Sequence, residues 1–182
     1  LNALKYDLIE NEELEETRDG EYFHASEDRQ SVRNKVFSII KKNISKIQID
    51  SLIVEKRKTM TPLQSVHKFY PEMLRYLLKY PLNRIILKDY GVGEFMGVIF
   101  ITDSLPINKN KRSVEKSIKL AVKSFLPKTP YKIFHHLSQS SMELQIVDYC
   151  SWAIFKKWER GDTRSYDLIK EGVRSEFDIF ER

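Results

Sequence analysis

The stretch VIFITDSLPINKNKRSVEKSIKLAVKSFLPKTPYKIFHH, residues 98–136, decides the fold class. GVIFITD at 97–103 is a short apolar run, and it reads as a strand buried on both faces, as in parallel sheets. Downstream, Val114, Ile118, Ala121, Val122 and Phe125 recur at spacings of three and four and mark the core face of an amphipathic helix. Pro127 and Pro130 bracket the end of that helix, and YKIFHHL at 131–137 is a further strand.

The same alternation continues outward. Upstream, Ser31 reads as the N-cap of a helix with a stripe of Val32, Val36, Phe37, Ile40 and Ile44. A strand follows through Ile47, Ile49, Leu52 and Val54, closed by Lys56, Arg57 and Lys58. Thr61-Pro62 opens a second helix carrying Val66, Phe69, Tyr70, Met73, Leu74 and Leu77, distorted at Pro71 and ended by Pro81. NRIILKDY is a short apolar run, and Gly91 and Gly93 mark a turn. Downstream, LQIVDYCSWAIF at 144–155 is helical, Gly161 breaks it, and a last helix holds Tyr166, Ile169, Val173 and Phe177. Helices and strands in this order predict an α/β fold with a mostly parallel sheet covered by helices. The expected organisation is one domain over 1–182. Residues 1–20 form an acidic helix or linker (Glu10, Glu12, Glu13, Glu15 and Glu16), and 21–182 form the core.

The 182 residues are 41% hydrophobic and 31% charged, a balance that describes a globular protein with a real core. One cysteine, Cys150, excludes an internal disulfide and fits a reducing, cytoplasmic setting, where it packs as a small apolar group. No apolar run approaches the roughly 20 residues of a membrane span, so no membrane partner is expected. The N-terminus lacks the pattern of a signal peptide. A first residue of Leu rather than Met fits a fragment or a processed product. The net charge of +5 leans toward anionic partners.

Asp148 stands alone in LQIVDYCSWAIF, twelve residues without another charge. Leu144, Val147, Ser151, Trp152 and Phe155 share its surroundings at helical spacing, so it falls on a face expected to pack. Burying an isolated carboxylate costs several kcal/mol, roughly, unless something pairs with it. It either meets a cation, a metal or a hydrogen-bond donor such as a backbone N–H or Arg33, or it lines a cleft. Asp103 follows the apolar run VIFIT, where ligands bind outside the carboxyl ends of strands in open sheets. As a turn aspartate or N-cap it would need no ligand. Together, two such carboxylates suit Mg²⁺ or Mn²⁺, ions that clamp the oxygens of a phosphodiester during cleavage.

His135 and His136 point to opposite faces of a regular strand, so one enters a cleft while the other packs or is solvated. His67 reads as structural or exposed, and His24 lies with Glu27 and Asp28 ahead of a helix N-terminus. Zinc-site spacing, a P-loop and a G-x-S-x-G elbow are absent. Arg112, Lys116, Lys119 and Lys123 form a stripe opposite the core face of their helix, preceded by Lys109 and Lys111, with Glu115 the one acid among them. The stripe suits a phosphate backbone, and it equally describes a solvated helix face.

LQIVDYCSWAIFKKWERGD at 144–162, ITDSLP at 101–106 ahead of the basic helix, and FHASEDRQSVRNKVF at 23–37 together resemble the domain-of-unknown-function family numbered 3800. The resemblance runs from Tyr22 to Phe180, and L-Q-x-x-D-Y-x-x-W-A at Leu144–Ala153 is its most specific part. It implies a ribonuclease H-like fold and metal-dependent nuclease chemistry, in a setting of phage defence or mobile elements. Asp148 would be the C-terminal helix carboxylate and Asp103 a strand-end carboxylate. His24 and Asp28 would match an F-H-A-x-x-D segment, and Gln145 would orient neighbouring backbone or substrate. The family's opening strand, ending in D-E-S-G-D, has no counterpart here. The resemblance therefore implies a sheet without its N-terminal strand and a catalytically incomplete metal site.

The expected function is Mg²⁺- or Mn²⁺-dependent hydrolysis of DNA or RNA. Asp103 and Asp148 would hold metal, His24 or His136 would assist, and Arg112, Lys116, Lys119 and Lys123 would hold the backbone. The rival readings are a non-catalytic nucleic-acid-binding module and an enzyme acting on small phosphorylated molecules.

Overall fold

The computed structural model describes residues 1–4, 22–59, 66–87, 97–104 and 108–180. In chain order the main elements are α1 Gln30–Lys42, β1 Ile49–Ile53, α2 Val66–Leu87, β2 Val98–Asp103, α3 Asn108–Phe125, β3 Tyr131–His136, α4 Met142–Arg160 and β4 Val173–Asp178. They divide into two compact units, residues 1–49 with 136–174 and residues 50–135 with 175–182. The acidic run Glu10–Glu16, the Thr61-Pro62 helix start and the Gly91/Gly93 turn lie outside the described residues, as do the side chains of Val66, His67 and Lys109.

The class is α/β, with two small parallel sheets among the described residues: β1 pairs with β4, and β2 with β3. The Val98 N–H reaches the Pro130 carbonyl at one end of the second pair, and the Ile179 N–H reaches that of Ile53 beside the first. The strand, helix, strand reading of 98–136 is thus observed, since parallel neighbours need a long crossover and α3 supplies it.

In the second unit the predicted face of α3 packs as expected. Val114, Ile118, Ala121 and Val122 are buried with Leu126 and with Leu82 of α2, and Leu74, Leu78, Val98, Phe100 and Ile133 close around them. β2 differs from its prediction. Val98, Phe100 and Thr102 alternate with exposed Ile99, Ile101 and Asp103, so one face of the strand is covered rather than both. Pro81 does not end α2 either, because the helix runs through Pro71 and Pro81 to Leu87. An internal proline costs about 3 kcal/mol. Continuing the helix buries Leu82 in the α2–α3 core, which offsets that cost. On β1, Asp50 takes a bidentate hydrogen bond from the Arg84 guanidinium and another from the Ser175 hydroxyl of β4.

In the first unit the α1 stripe is buried at Val32, Val36, Phe37, Ile40 and Ile44. Phe37 meets the Tyr149 ring edge-on at 5.2 Å between centroids. Two local expectations fail here. The N-cap of α1 is Arg29 in extended conformation, not Ser31, and no side chain caps this end. Downstream, Gly161 does end α4, in the left-handed conformation at φ 64° that suits glycine. The segment after it is not a helix. Single turns at Tyr166–Leu168 and Lys170–Gly172 lead into β4, where pairing with β1 overrides the helical spacing of Ile169, Val173 and Phe177. Among the described residues no helix is long and apolar enough to cross a membrane.

Candidate functional sites

The first candidate site is built where α4 holds the segment 23–28. Side chains at i, i+3 and i+4 of a helix share one face, and Gln145, Asp148 and Tyr149 use that spacing to grip three points of the segment. The Gln145 Oε1 accepts the Phe23 N–H at 3.1 Å. Asp148 Oδ2 accepts the Ala25 N–H at 2.8 Å. The Tyr149 hydroxyl donates to Asp28 Oδ2, which also accepts the His24 N–H at 3.0 Å. Gln145 then donates through Nε2 to the carbonyls of Ser138 and Gln139 at 3.0 and 3.2 Å, tying the segment to the turn before α4. Arg33 closes the arrangement from α1 by donating to the carbonyls of Ala25 and Asp28.

The partner of Asp148 is therefore a backbone N–H, and Arg33 serves carbonyls instead. Nor is Asp148 enclosed. Val147 and Phe155 are 57% and 52% exposed, so one apolar side of α4 faces outward rather than packing. Asp148 and His24 lie 4.0 Å apart, Oδ2 to Nδ1, with side chains 37% and 36% exposed, and a ligand can reach both. His24 Nδ1 also shares a hydrogen bond with the Ser26 hydroxyl at 3.1 Å. Asp28, in contrast, is buried, and burial raises its carboxyl above the usual range against the lowering effect of the Tyr149 hydroxyl and the His24 N–H. Burial, reinforced by the bond to Asp28, pushes the Tyr149 phenol well above its ordinary value. Asp28 and Tyr149 thus hold the segment in shape, and His24 and Asp148 are its reachable members. Cys150 is buried as expected, its thiol pushed up to about 11 by desolvation.

A metal ion is implied by the expected chemistry. Mg²⁺ commonly takes only one or two protein carboxylates and completes its shell with water and substrate phosphate. Asp148 supplies one such carboxylate, with the His24 imidazole beside it. Among the described residues no group of three or more His, Cys, Asp and Glu side chains is placed to hold an ion. Asp148 with the His24 imidazole beside it is a smaller donor set than a dedicated protein cage for such an ion needs.

Asp103 belongs to the second unit, where it ends β2, is exposed, and accepts the Ser104 N–H at 2.7 Å as a turn aspartate does. The two neighbouring histidines do point oppositely. His135 is 6% exposed at its side chain and bridges the Thr102 hydroxyl (2.7 Å from Nδ1) and Glu115 (3.2 Å from Nε2), whereas His136 is exposed. His136 helps lower the Glu143 carboxyl, behind the larger effects of that residue's own N–H and the Ser141 hydroxyl.

The second candidate site lies on α3. Arg112, Lys116, Lys119 and Lys123 are all exposed, on the face opposite the buried stripe. They border an open groove of about 710 Å³, whose other walls include Leu120, Leu126, Pro127, Thr129 and Tyr131. Glu115 lies within 3.8 Å of Lys119 and moderates the charge at one point only. Leu120 and Tyr131 were not singled out from sequence. The signal for Leu120 was present, because it stands one turn beyond Lys116 on the charged face, where a leucine has no core to join.

No family model, no curated protein and no solved structure matches the chain.

Proposed function

We propose that the protein binds nucleic acid through the basic face of α3. The observation that supports this best is the row of four exposed cations along one groove. The residues from Arg112 to Lys123 span eleven steps, about 16 Å at 1.5 Å each. Over that distance a polyanion meets cation after cation, and counterions leave as it binds. A helix face exposed merely for solubility usually mixes both charge signs, and here Glu115 is the one acid between Arg112 and Lys123. The test is fluorescence anisotropy with a labelled oligonucleotide. Changing Lys116 and Lys119 together to Glu should weaken binding at least tenfold at low salt. Unchanged affinity would remove α3 from the interface.

A second reading, phosphodiester hydrolysis on a ribonuclease H-like fold, is favoured by one observation, the reachable pair His24–Asp148. A bound Mg²⁺ or Mn²⁺ would stabilise charge on the phosphate oxygens. Asp148 would hold that ion. His24 would position or move a proton at Nδ1, next to the Ser26 hydroxyl, and His136 is the alternative proton carrier. Gln145 and Asp28 would act by positioning, because Gln145 accepts the Phe23 N–H and Asp28 accepts the N–H of His24 itself. Calorimetry with Mn²⁺ tests this reading without assaying turnover. Binding lost in Asp148→Asn supports it. Equal binding by wild type and variant, or none by wild type, counts against Asp148 as a ligand.

A further inference from the structure

We infer that the groove beside α3 takes single-stranded rather than duplex nucleic acid, with an unstacked base against Tyr131 and Leu120. The inference rests on the nucleic-acid reading above and specifies its ligand. Its basis is the mixture of surfaces in one groove. Arg112, Lys116, Lys119 and Lys123 supply charge along its border. Leu120, on the same helix, is 50% exposed, and Tyr131, at the start of β3, is 38% exposed. Both line the groove with the four cations.

A duplex presents phosphates to such a surface and keeps its base faces stacked inside. It would satisfy the cations and leave the leucine and tyrosine in contact with water. A single strand presents both kinds of group, a charged backbone and bases with free apolar faces. Tyr131 is suited to receive one. Its ring is braced edge-on by Phe100, 6.4 Å away between centroids, so little side-chain freedom is lost on stacking. Thr129, two residues earlier, also lines the groove. The groove's volume of about 710 Å³ is that of a site for a small ligand or a few nucleotides.

The experiment compares a labelled oligo-dT strand with a blunt duplex of the same length, by anisotropy, on the full chain. Wild type should bind the single strand more tightly. Tyr131→Ala should weaken single-strand binding roughly 5- to 150-fold, the loss expected for one stacked base, and leave duplex binding unchanged. Tyr131→Phe should bind like wild type. Leu120→Gln, a change on an exposed helix face that leaves the core intact, should weaken the single strand selectively even if Tyr131→Ala folds poorly. Duplex binding as tight as single-strand binding overturns the inference and leaves the nucleic-acid reading standing, as do equal losses on both ligands. Binding of neither ligand by wild type overturns both.

Discussion

Gln145→Leu tests the grip of α4 on the 23–28 segment. Leucine is close to glutamine in size, so the substitution removes hydrogen bonds with little loss of volume. Three bonds go: one accepted from the Phe23 N–H and two donated to the carbonyls of Ser138 and Gln139. Their costs differ. Phe23 is buried, and its N–H would be left unpaired, at about 1–3 kcal/mol. Gln139 is exposed and Ser138 partly so, and water can replace the lost donor at both carbonyls. Those two bonds therefore contribute about 1 kcal/mol between them. The expected total is about 2–4 kcal/mol. With a urea m-value of about 2 kcal/mol/M, the midpoint should fall by about 1–2 M at unchanged slope. Amide exchange should accelerate at Phe23 and Ala25 together, because release of the first loosens the second from Asp148. A midpoint within about 0.3 M of wild type would refute the idea that Gln145 anchors the segment.

Asp28 gives a pH-dependent counterpart. Its folded-state pKa is raised above 3.8 by burial, so the charged form is penalised in the folded protein. The associated stability is fully present below pH 3.8 and is lost as pH rises through the folded value. Asp28→Asn keeps acceptors for the His24 N–H and the Tyr149 hydroxyl but does not titrate. Urea midpoints at pH 3.5 and 7 should therefore show Asn gaining on Asp as pH rises; a constant difference between the two would count against the burial argument. Gly172→Ala probes packing, since a Cβ there would sit 2.7 Å from Ile44 Cδ1 and 3.3 Å from the Ile47 carbonyl oxygen. Overpacking of this kind costs about 1–3 kcal/mol. Thermal unfolding should shift down accordingly, and an unchanged melting temperature would mean that the Ile44 side chain yields freely.

Much of the fold was legible because local pattern and tertiary context agree. The α3 stripe, the α1 stripe and the Gly161 stop behave in the structure as their spacing predicts. Where context outweighs local preference, the reading failed. Pro81 was expected to end α2, but a helix that gains Leu82 in the core runs past it. Val173 and Phe177 have helical spacing, yet V-R-S-E-F-D also alternates, and pairing with β1 decides between the two. β2 looked doubly buried because its composition records apolarity and not how many layers cover it.

The site was legible in kind rather than in detail. The sequence leaves Asp148 with a cation, a metal, a hydrogen-bond donor or a cleft, and assigns it to metal; the partner in the structure is the Ala25 N–H, whose approach depends on tertiary placement more than a hundred positions away. Tyr149 was invisible as a clamp because a tyrosine beside an apolar run reads as core. Asp103 ends β2 in one compact unit and Asp148 lies on α4 in the other, a division that sequence order does not reveal.

The most direct test of the central claim, that α3 presents a nucleic-acid interface, is the salt dependence of oligonucleotide binding. Four phosphate contacts to a single strand give a slope of log K against log salt of about −2.8. Wild type should show a slope near that value, and the Lys116→Glu, Lys119→Glu double variant about half of it or less. A wild-type slope near zero, or one that the double variant leaves unchanged, would contradict the account.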